Sequence, residues 1–260
     1  MSAPSNPVVQ VLPSVPDVGG AAAAHVARLA AESVHLRGRF TVAFSGGSLL
    51  DTVCPHLLGD ESGTVFHWPA WHVFCVDERC VPLEDSRSNF GALRERLLRH
   101  VAIPPDQTYP VDTTRPPAGA ASAYEATLAR VFHLTLPDAP RFDLILLGMG
   151  EDGHTASLFP QHPLLNETRR WVAALSDSPK PPPERITMTL PVLNNAREVV
   201  FVVLGDGKAE ALARALSPEP HADRVPAGRV RPVQGRVTWY VDEAAARLFG
   251  NGGMSHATGW

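Results

Sequence analysis

The apolar positions of this chain fall into short runs of strand length, separated by longer stretches with helical spacing. Three of the runs are FTVAF at 40–44, LILL at 144–147 and EVVFVVL at 198–204. They show no 3.6-residue period, and continuous apolar runs of this length are typical of strands buried on both faces of a parallel sheet. The alanine-rich segments 17–37 and 119–132 instead have the composition and spacing of amphipathic helices.

The order of the predicted elements indicates the fold class. Further strands are predicted at 71–76, 171–175, 185–190 and 235–241, and further helices at 48–59, 90–100, 191–196, 209–216 and 242–249. A short strand near Tyr109 and an edge strand within residues 1–16 complete the pattern. Strands alternate with helices along the chain, which favours a largely parallel sheet with helices on both faces. We expect residues 1–260 to form a single α/β domain, with 1–16 and 250–260 peripheral or mobile.

Four short polar turns follow predicted strands. They are SGGS at 45–48, DER at 77–79, GMGEDGH at 148–154 and GDGK at 205–208. Because the carboxyl ends of parallel strands lie at one edge of a sheet, the four turns should meet where open α/β sheets bind ligands. Each motif by itself is weak, and their shared placement is what predicts a site.

The residue types in these turns suit a phosphorylated small molecule. Glycine and serine N–H and O–H groups at 45–48 can cradle a phosphate, and cations are available from Arg79, Arg185 and Lys208. His154 stands where HTASLF predicts the first turn of a helix. Each feature also has an ordinary structural explanation: Ser48 as a helix cap, DER as a surface ion pair worth at most about 1 kcal/mol, and His154 as a capping or core histidine.

Composition and charge narrow the function classes. The formal net charge of −4 excludes a general attraction to nucleic acid or an anionic membrane, so positive partners for an anionic substrate must be local. The only lysines are Lys180 and Lys208. Three cysteines without metal-type spacing favour a reducing compartment. The chain shows no signal-peptide pattern and no apolar run of membrane-spanning length, so we expect a soluble, cytoplasmic protein.

Several cofactor and nucleophile motifs do not occur in the sequence. GMGEDG lies mid-chain and lacks the context of a dinucleotide fingerprint, and there is no GxxxxGK[ST] phosphate loop, GxSxG nucleophile elbow, HExxH motif or Cys/His cluster. We therefore expect neither a cofactor nor a required metal.

The same motifs resemble those of the 6-phosphogluconolactonase family. The matching strings are SGGS at 45–48, DER at 77–79 with Ser88 and Asn89, GMGEDGHTASLFP at 148–160, SDSPKPPPERITMTLPVLNNA at 176–196 and GDGK at 205–208. The resemblance runs from about residue 40 to 249. Its most specific parts are the GxGxDGHTASLFP string and the SDSPKPPP segment, and the latter is similar to the stand-alone animal-type enzymes. One departure is Leu49-Leu50, where many relatives have Thr-Pro.

The resemblance implies a Rossmann-like α/β fold, similar to that of glucosamine-6-phosphate deaminases and ribose-5-phosphate isomerases. It implies hydrolysis of 6-phospho-D-glucono-1,5-lactone to 6-phospho-D-gluconate, the second step of the oxidative pentose phosphate pathway, without a metal. The sibling deaminases resemble HIAFNEP where this chain has HTASLFP, which favours the lactonase.

Roles follow for individual residues as hypotheses. His154 is the candidate general base, kept neutral by the positive end of the predicted helix. Asp77 is preferred as the carboxylate that orients or polarises it, and Asp152 is the possible orienting alternative. Arg79 would stabilise the developing oxyanion or hold the phosphate. The residues expected to bind the substrate and its phosphate are Ser45, Gly46, Gly47, Ser48, Gly153, Thr155, Arg185 and Lys208.

Three other functions remain open at this point. They are a glucosamine-6-phosphate deaminase/isomerase, a non-catalytic sugar-phosphate sensor and an inactive paralogue. The expected partner is a phosphorylated sugar lactone, with no nucleic acid and no membrane, and the expected state is a monomer or weak homo-oligomer.

Overall fold

A seven-stranded parallel sheet forms the centre of the computed structural model, which describes residues 6–59, 66–218 and 224–248. The described strands are β1 (Val8–Leu12), β2 (Phe40–Phe44), β3 (Trp71–Cys75), β4 (Asp77–Arg79), β5 (Thr108–Tyr109), β6 (Leu144–Leu147), β7 (Val172–Leu175), β8 (Arg185–Met188), β9 (Glu198–Val203) and β10 (Arg236–Asp242). The large sheet has the order β1-β10-β9-β6-β2-β3-β5. The predicted fold class is confirmed, and β1 is the predicted edge strand.

Helices connect most of these strands. They are α1 (Val15–Arg37), α2 (Ser48–Leu58), α3 (Asn89–Arg96), α4 (Pro117–Phe132), α5 (Leu190–Leu193), α6 (Ala209–Leu216) and α7 (Glu243–Ala246). The longest, α1, begins at the cap Ser14, whose hydroxyl accepts from the Asp17 N–H, and ends at Gly38 with φ 71°. An oxygen cap before the first turn and a left-handed glycine after the last one are the usual helix signals.

The sheet is buried on both faces, as the continuous apolar runs predict. Within β6, Ile145 and Leu147 belong to the core under α4 and α6, whereas Leu144 and Leu146 belong to the core under α1 and α2. Successive side chains of a strand point to opposite faces. Each face therefore needs its own apolar set, which leaves the strand ends as the place for polar chemistry.

A second, three-stranded sheet of order β4-β8-β7 is antiparallel, and it was not predicted. The predicted turn DER is strand β4, in which Asp77 pairs with Thr187 and Arg79 with Arg185. The chain leaves the large sheet after β3 and pairs with β8 instead of turning into a loop. Local patterns predicted β7 and β8 as strands, but they contain no information about which sheet the strands join.

The prediction that a helix begins at His154 is wrong. Gly153 and Ala156 have φ values of 82° and 51°, and Thr155 and Leu158 form an antiparallel bridge around a tight turn. Two left-handed residues within four positions are incompatible with a right-handed helix. His154 therefore sits in a turn, and no helix dipole acts on it from this segment.

Some predicted features lie wholly or partly outside the described residues. The predicted end of the last helix at Phe249 and segment 250–260 lie outside the described residues, as do residues 1–5 of the predicted peripheral N-terminus. The single domain over 1–260 thus stays a prediction. Within the described ranges, no helix combines the length and apolarity needed to cross a membrane.

We expect Leu146→Ala to lower the free energy of unfolding by about 2–5 kcal/mol, because Leu146 is fully buried and its loss leaves a cavity. Leu36→Ala is the matched control, since Leu36 is 61 % exposed, and should change stability by no more than roughly 0.5 kcal/mol. Urea unfolding measures both. Similar losses for the two variants would contradict the two-faced burial of β6.

Candidate active site

One cleft of about 200 Å³ opens at the carboxyl edge of the large sheet. The four polar segments meet there, because the three turns follow β2, β6 and β9, and DER, as β4, follows β3. Ten of the predicted site residues line it: Ser45, Gly46, Gly47, Ser48, Asp77, Arg79, His154, Thr155, Arg185 and Lys208. In the described ranges, no group of three or more His, Cys, Asp or Glu residues is placed to hold a metal ion.

The SGGS turn presents the start of α2 to the cleft. Gly47 is the N-cap with φ 79°, and no side chain caps this helix end. The uncapped N–H groups and the helix dipole make such an end a ready anion site. The expected hydroxyl donor at Ser45 is committed elsewhere, because Ser45 Oγ donates to Asp77 Oδ1 at 3.0 Å. Ser48, the first residue of α2, lines the cleft as predicted.

Asp77 is a buried link between two turns. Its Oδ1 accepts from Ser45, and its Oδ2 accepts from the Ser157 hydroxyl at 2.8 Å. The expectation that Asp77 orients His154 is wrong, since both of its oxygens face hydroxyl groups. The carboxylate instead holds the SGGS turn after β2 against the turn after β6.

Asp152 is the carboxylate that orients His154. Its Oδ1 lies 2.5 Å from His154 Nδ1 and also accepts from the His154 N–H at 3.3 Å. With Nδ1 as the donor, Nε2 is the ring nitrogen left to accept a proton. A Cβ at Gly150 would lie 2.0 Å from His154 Nδ1, so this position must be glycine for the pair to form.

The pKa of His154 lies below the ordinary value. Burial is the main cause, and the positive charge of Lys180 adds to it, whereas the charges of Asp152 and Asp77 act in the opposite direction. The imidazole is therefore neutral at pH 7, as expected for a general base, but through burial instead of a helix N-terminus. Burial acts to raise the pKa of Asp152, yet its interactions with His154 and Lys180 outweigh this and lower it.

Lys180 is a site residue that the sequence-based assignment missed. Its Nζ lies 3.7 Å from Asp152 Oδ1 and 3.5 Å from His154 Nδ1, and its side chain lines the cleft. Two signals pointed to it: it is one of only two lysines, and it lies in the SDSPKPPP segment.

Arg185 holds the segment that carries Lys180. Its Nε donates to the Pro182 carbonyl at 2.9 Å, and its Nη2 donates to the carbonyls of Lys180 and Pro181 at 2.7 and 3.1 Å. Its guanidinium also lies 5.6 Å from the centre of the Phe159 ring. Most of its donors are thus used within the protein, which leaves it poorly placed for the predicted phosphate contact.

Gly153 and Thr155 have structural roles. Gly153 does not line the cleft, its N–H donates to the Gly150 carbonyl at 3.0 Å, and a Cβ there would lie 2.5 Å from Val225 Cβ. Thr155 lines the cleft, but its hydroxyl donates to the Gly148 carbonyl at 2.8 Å. Both shape the turn that presents His154, and the predicted substrate contact of Gly153 has no support in the geometry.

Glu78 is a second residue that the sequence-based assignment missed. Its fully buried carboxylate accepts hydrogen bonds from the N–H groups of Arg79, Asn89 and Phe90 and from the Ser88 hydroxyl. Asn89, which lines the cleft, donates in turn to the Asp77 carbonyl at 2.9 Å. The triplet DER had suggested a surface ion pair. In the structure its central residue instead anchors the start of α3 beside the SGGS turn.

Arg79 and Lys208 supply positive charge from opposite sides of the SGGS turn, on β4 and after β9. Arg79 donates one bond, from Nη1 to the Arg87 carbonyl at 2.7 Å. Its buried Nε has no hydrogen-bond partner in the part of the chain that the structure describes. An unpaired buried donor of a guanidinium is costly, and an anion in the cleft would satisfy it.

Most of the chain matches a known protein family and individual relatives. The family described as glucosamine-6-phosphate isomerases/6-phosphogluconolactonase matches residues 14–239. The 6-phosphogluconolactonase of Rattus norvegicus is 41% identical over an alignment of 263 positions, which covers 99% of this chain and 100% of the rat protein. The structure of 6-phosphogluconolactonase from Trypanosoma brucei superposes with a TM-score of 0.83 at 28% identity, covering 94% of this chain and 99% of the other.

A monomeric glucosamine-6-phosphate deaminase shares the fold, with a TM-score of 0.71 at 20% identity and coverage of 93% of this chain and 99% of the deaminase chain. At that identity the likeness concerns the fold alone.

We expect Lys180→Met to raise the pKa of His154, because it removes a positive charge that disfavours the imidazolium. The matched control is Lys208→Met, which removes the other lysine of the chain. An NMR titration of the His154 ring, assigned with a His154→Ala spectrum, measures the shift. An unchanged titration in the first variant, or an equal shift in the control, would contradict the contact between Lys180 and the His154–Asp152 pair.

Proposed function

Because the chain belongs to the glucosamine-6-phosphate isomerase/6-phosphogluconolactonase family, we propose that it hydrolyses 6-phospho-D-glucono-1,5-lactone to 6-phospho-D-gluconate. This is the second step of the oxidative pentose phosphate pathway. The observation that carries the proposal is the imidazole of His154, held by Asp152, which lines the same cleft as the uncapped start of α2 and the cations Arg79 and Lys208.

His154 acts as the general base on water. Its Nε2 takes a proton while the water oxygen bonds to C1 of the lactone, and a positioned base of this kind contributes about 10²–10⁴ in rate. Asp152 holds the Nδ1–H and so fixes both the tautomer and the ring orientation. The negative charge of Asp77 raises the pKa of His154 without contact, and thus stabilises the imidazolium as it forms.

The tetrahedral intermediate then opens the ring. The bond between C1 and the ring oxygen breaks, and the imidazolium returns its proton to that oxygen. Arg79 is placed to stabilise the oxyanion that develops on the carbonyl oxygen, since fixed charges aimed at developing charge are the largest contribution in many enzymes. Lys180 contributes positive charge beside the His154–Asp152 pair.

The phosphate is bound by the start of α2 and by Lys208. The N–H groups of the SGGS turn and the Ser48 hydroxyl surround one side of the phosphate, and charge-assisted bonds from Lys208 come from the other. Asp77 and Glu78 act indirectly, because they hold Ser45 and Asn89 in place. Arg185 and Gly153 position the groups that touch substrate.

The free cysteines bear on the cellular setting. Cys54, Cys75 and Cys80 are free thiols, which fits a reducing compartment, and we propose the cytoplasm. A small-molecule substrate and a monomeric or weakly oligomeric state complete the proposal.

The central test is lactone hydrolysis, followed in a pH-stat against the spontaneous rate of freshly made substrate. We expect His154→Ala to lower kcat by about 10²–10⁴ and to leave binding of a substrate analogue nearly unchanged. His162→Ala is the matched control, because His162 forms a similar pair with Asp177 at 3.0 Å and does not line the cleft.

Wild-type turnover no faster than the blank would overturn the proposed function. Ammonia release from glucosamine 6-phosphate in a coupled assay would favour the deaminase instead. Equal losses in His154→Ala and His162→Ala would remove His154 from the role of base.

We expect Lys208→Ala to raise KM by roughly tenfold or more and to change kcat less, because a ground-state phosphate contact is lost. Arg214→Ala, which removes an exposed cation of α6, is the control and should change neither constant. Steady-state kinetics at constant ionic strength measures both constants. A fall in kcat with unchanged KM would mean that Lys208 acts mainly in the transition state.

A further inference from the structure

Four arginines lie in a row at the amino edge of the large sheet, opposite the catalytic cleft. They are Arg236 at the start of β10, Arg197 before β9, Arg141 before β6 and Arg37 at the end of α1 before β2. β10, β9, β6 and β2 are neighbours in the sheet, so the fold collects side chains that are distant in sequence. All four line a concavity of about 410 Å³, larger than the catalytic cleft.

One end of the row is neutral. Arg236 Nε donates to Glu198 Oε2 at 3.0 Å, and Glu198 Oε1 accepts from the Thr238 hydroxyl at 3.1 Å. Glu198 is 2 % exposed, so its buried carboxylate balances the positive charge of Arg236.

The other end has more positive than negative charge. Asp143 is the single carboxylate among Arg37, Arg141 and Arg197: its Oδ1 accepts from Arg37 Nε at 2.9 Å and lies 3.3 Å from Arg197 Nε. Its Oδ2 is already used by the N–H and hydroxyl of Thr41. Three guanidinium groups share this one carboxylate, because Glu198 pairs with Arg236, and Glu32, the third acidic residue of the lining, lies 3.7 Å from Arg28 outside it. Two positive charges are therefore in excess.

The excess charge falls on Arg141 and Arg197. Arg37 lies in the last turn of α1, where the negative end of the helix dipole stabilises a cation. Arg141 donates from Nη2 to the Gln234 carbonyl at 2.8 Å, but the buried Nε atoms of Arg141 and Arg197 have no hydrogen-bond partner among the described residues. Burial, followed by the charges of Arg141 and Arg37, lowers the pKa of Arg197, which shows how closely the cations crowd.

We propose that this amino-edge site, formed by Arg37, Arg141 and Arg197, binds the phosphate group of a small phosphorylated metabolite. A dianion would balance the two excess charges, and guanidinium groups match phosphate oxygens through paired N–H donors. The concavity is in the size range of small-molecule sites. Nucleic acid fits less well, because Asp143, Glu198 and Glu32 also line it and the chain carries a net charge of −4.

The test is calorimetric titration of the full chain at low ionic strength with three probes: inorganic phosphate, glucose 6-phosphate and adenosine 5′-monophosphate. We expect two bound phosphate groups per wild-type chain, one at each edge of the sheet. Arg141→Gln/Arg197→Gln should weaken the amino-edge event by roughly tenfold or more and leave lactone turnover at saturating substrate unchanged, which also verifies folding. The probe that binds most tightly identifies the class of metabolite.

The matched control is Arg169→Gln/Arg214→Gln, which removes two exposed arginines that line neither concavity and should keep both binding events. A single event in the wild type that disappears in Lys208→Ala would overturn the proposal, as would two unchanged events in Arg141→Gln/Arg197→Gln. If the double variant does not fold, Arg197→Gln alone is compared with Arg169→Gln by the same criterion.

Discussion

A parallel sheet covered on both faces is the constraint from which the rest of this structure follows. Because β2, β6 and β9 are buried on both sides, their apolar side chains fill the two cores, and polar side chains collect at or near the strand ends. Parallel strands put all of their carboxyl ends at one edge and all of their amino ends at the other. The catalytic cleft and the arginine row are thus two consequences of one arrangement.

Three carboxylates at the carboxyl edge have different tasks, and their partners explain why. Asp152 accepts from an imidazole and so sets its tautomer, and Asp77 joins two turns through hydroxyl groups. Glu78 accepts from backbone N–H groups at the start of α3. Burial lowers the pKa of His154. A neutral imidazole therefore depends on the segments packed around it. The small antiparallel sheet supports one of them, because Arg185 on β8 donates to the Lys180 carbonyl.

Local pattern predicted the elements better than their assembly. The bounds of β2 and β6 were predicted to the residue. A charged residue precedes each apolar run and a serine or glycine follows it, which leaves little choice of where the strand begins and ends. The segment after Gly153 was misassigned, because a glycine-rich turn followed by HTASLF was interpreted as the start of a helix. In the structure Gly153 and Ala156 are left-handed, and the Gly153 carbonyl accepts a hydrogen bond from the distant Ala227 N–H at 3.0 Å. Strand β4 was taken for a loop for the same reason: its partner, β8, lies about a hundred residues further along the chain.

The sequence by itself determined the fold class, the meeting of four polar turns at one sheet edge, and the identity of the histidine in the cleft. These follow from hydrophobic period and from the geometry of parallel strands, which are local or general properties. Tertiary structure alone decided that Asp152 and not Asp77 orients His154. It also decided that Lys180 lines the cleft, and that Ser45 and Arg185 donate their hydrogen bonds to groups within the protein. Hydrogen-bond partners depend on distances of a few tenths of an ångström between remote segments, and sequence spacing does not encode such distances.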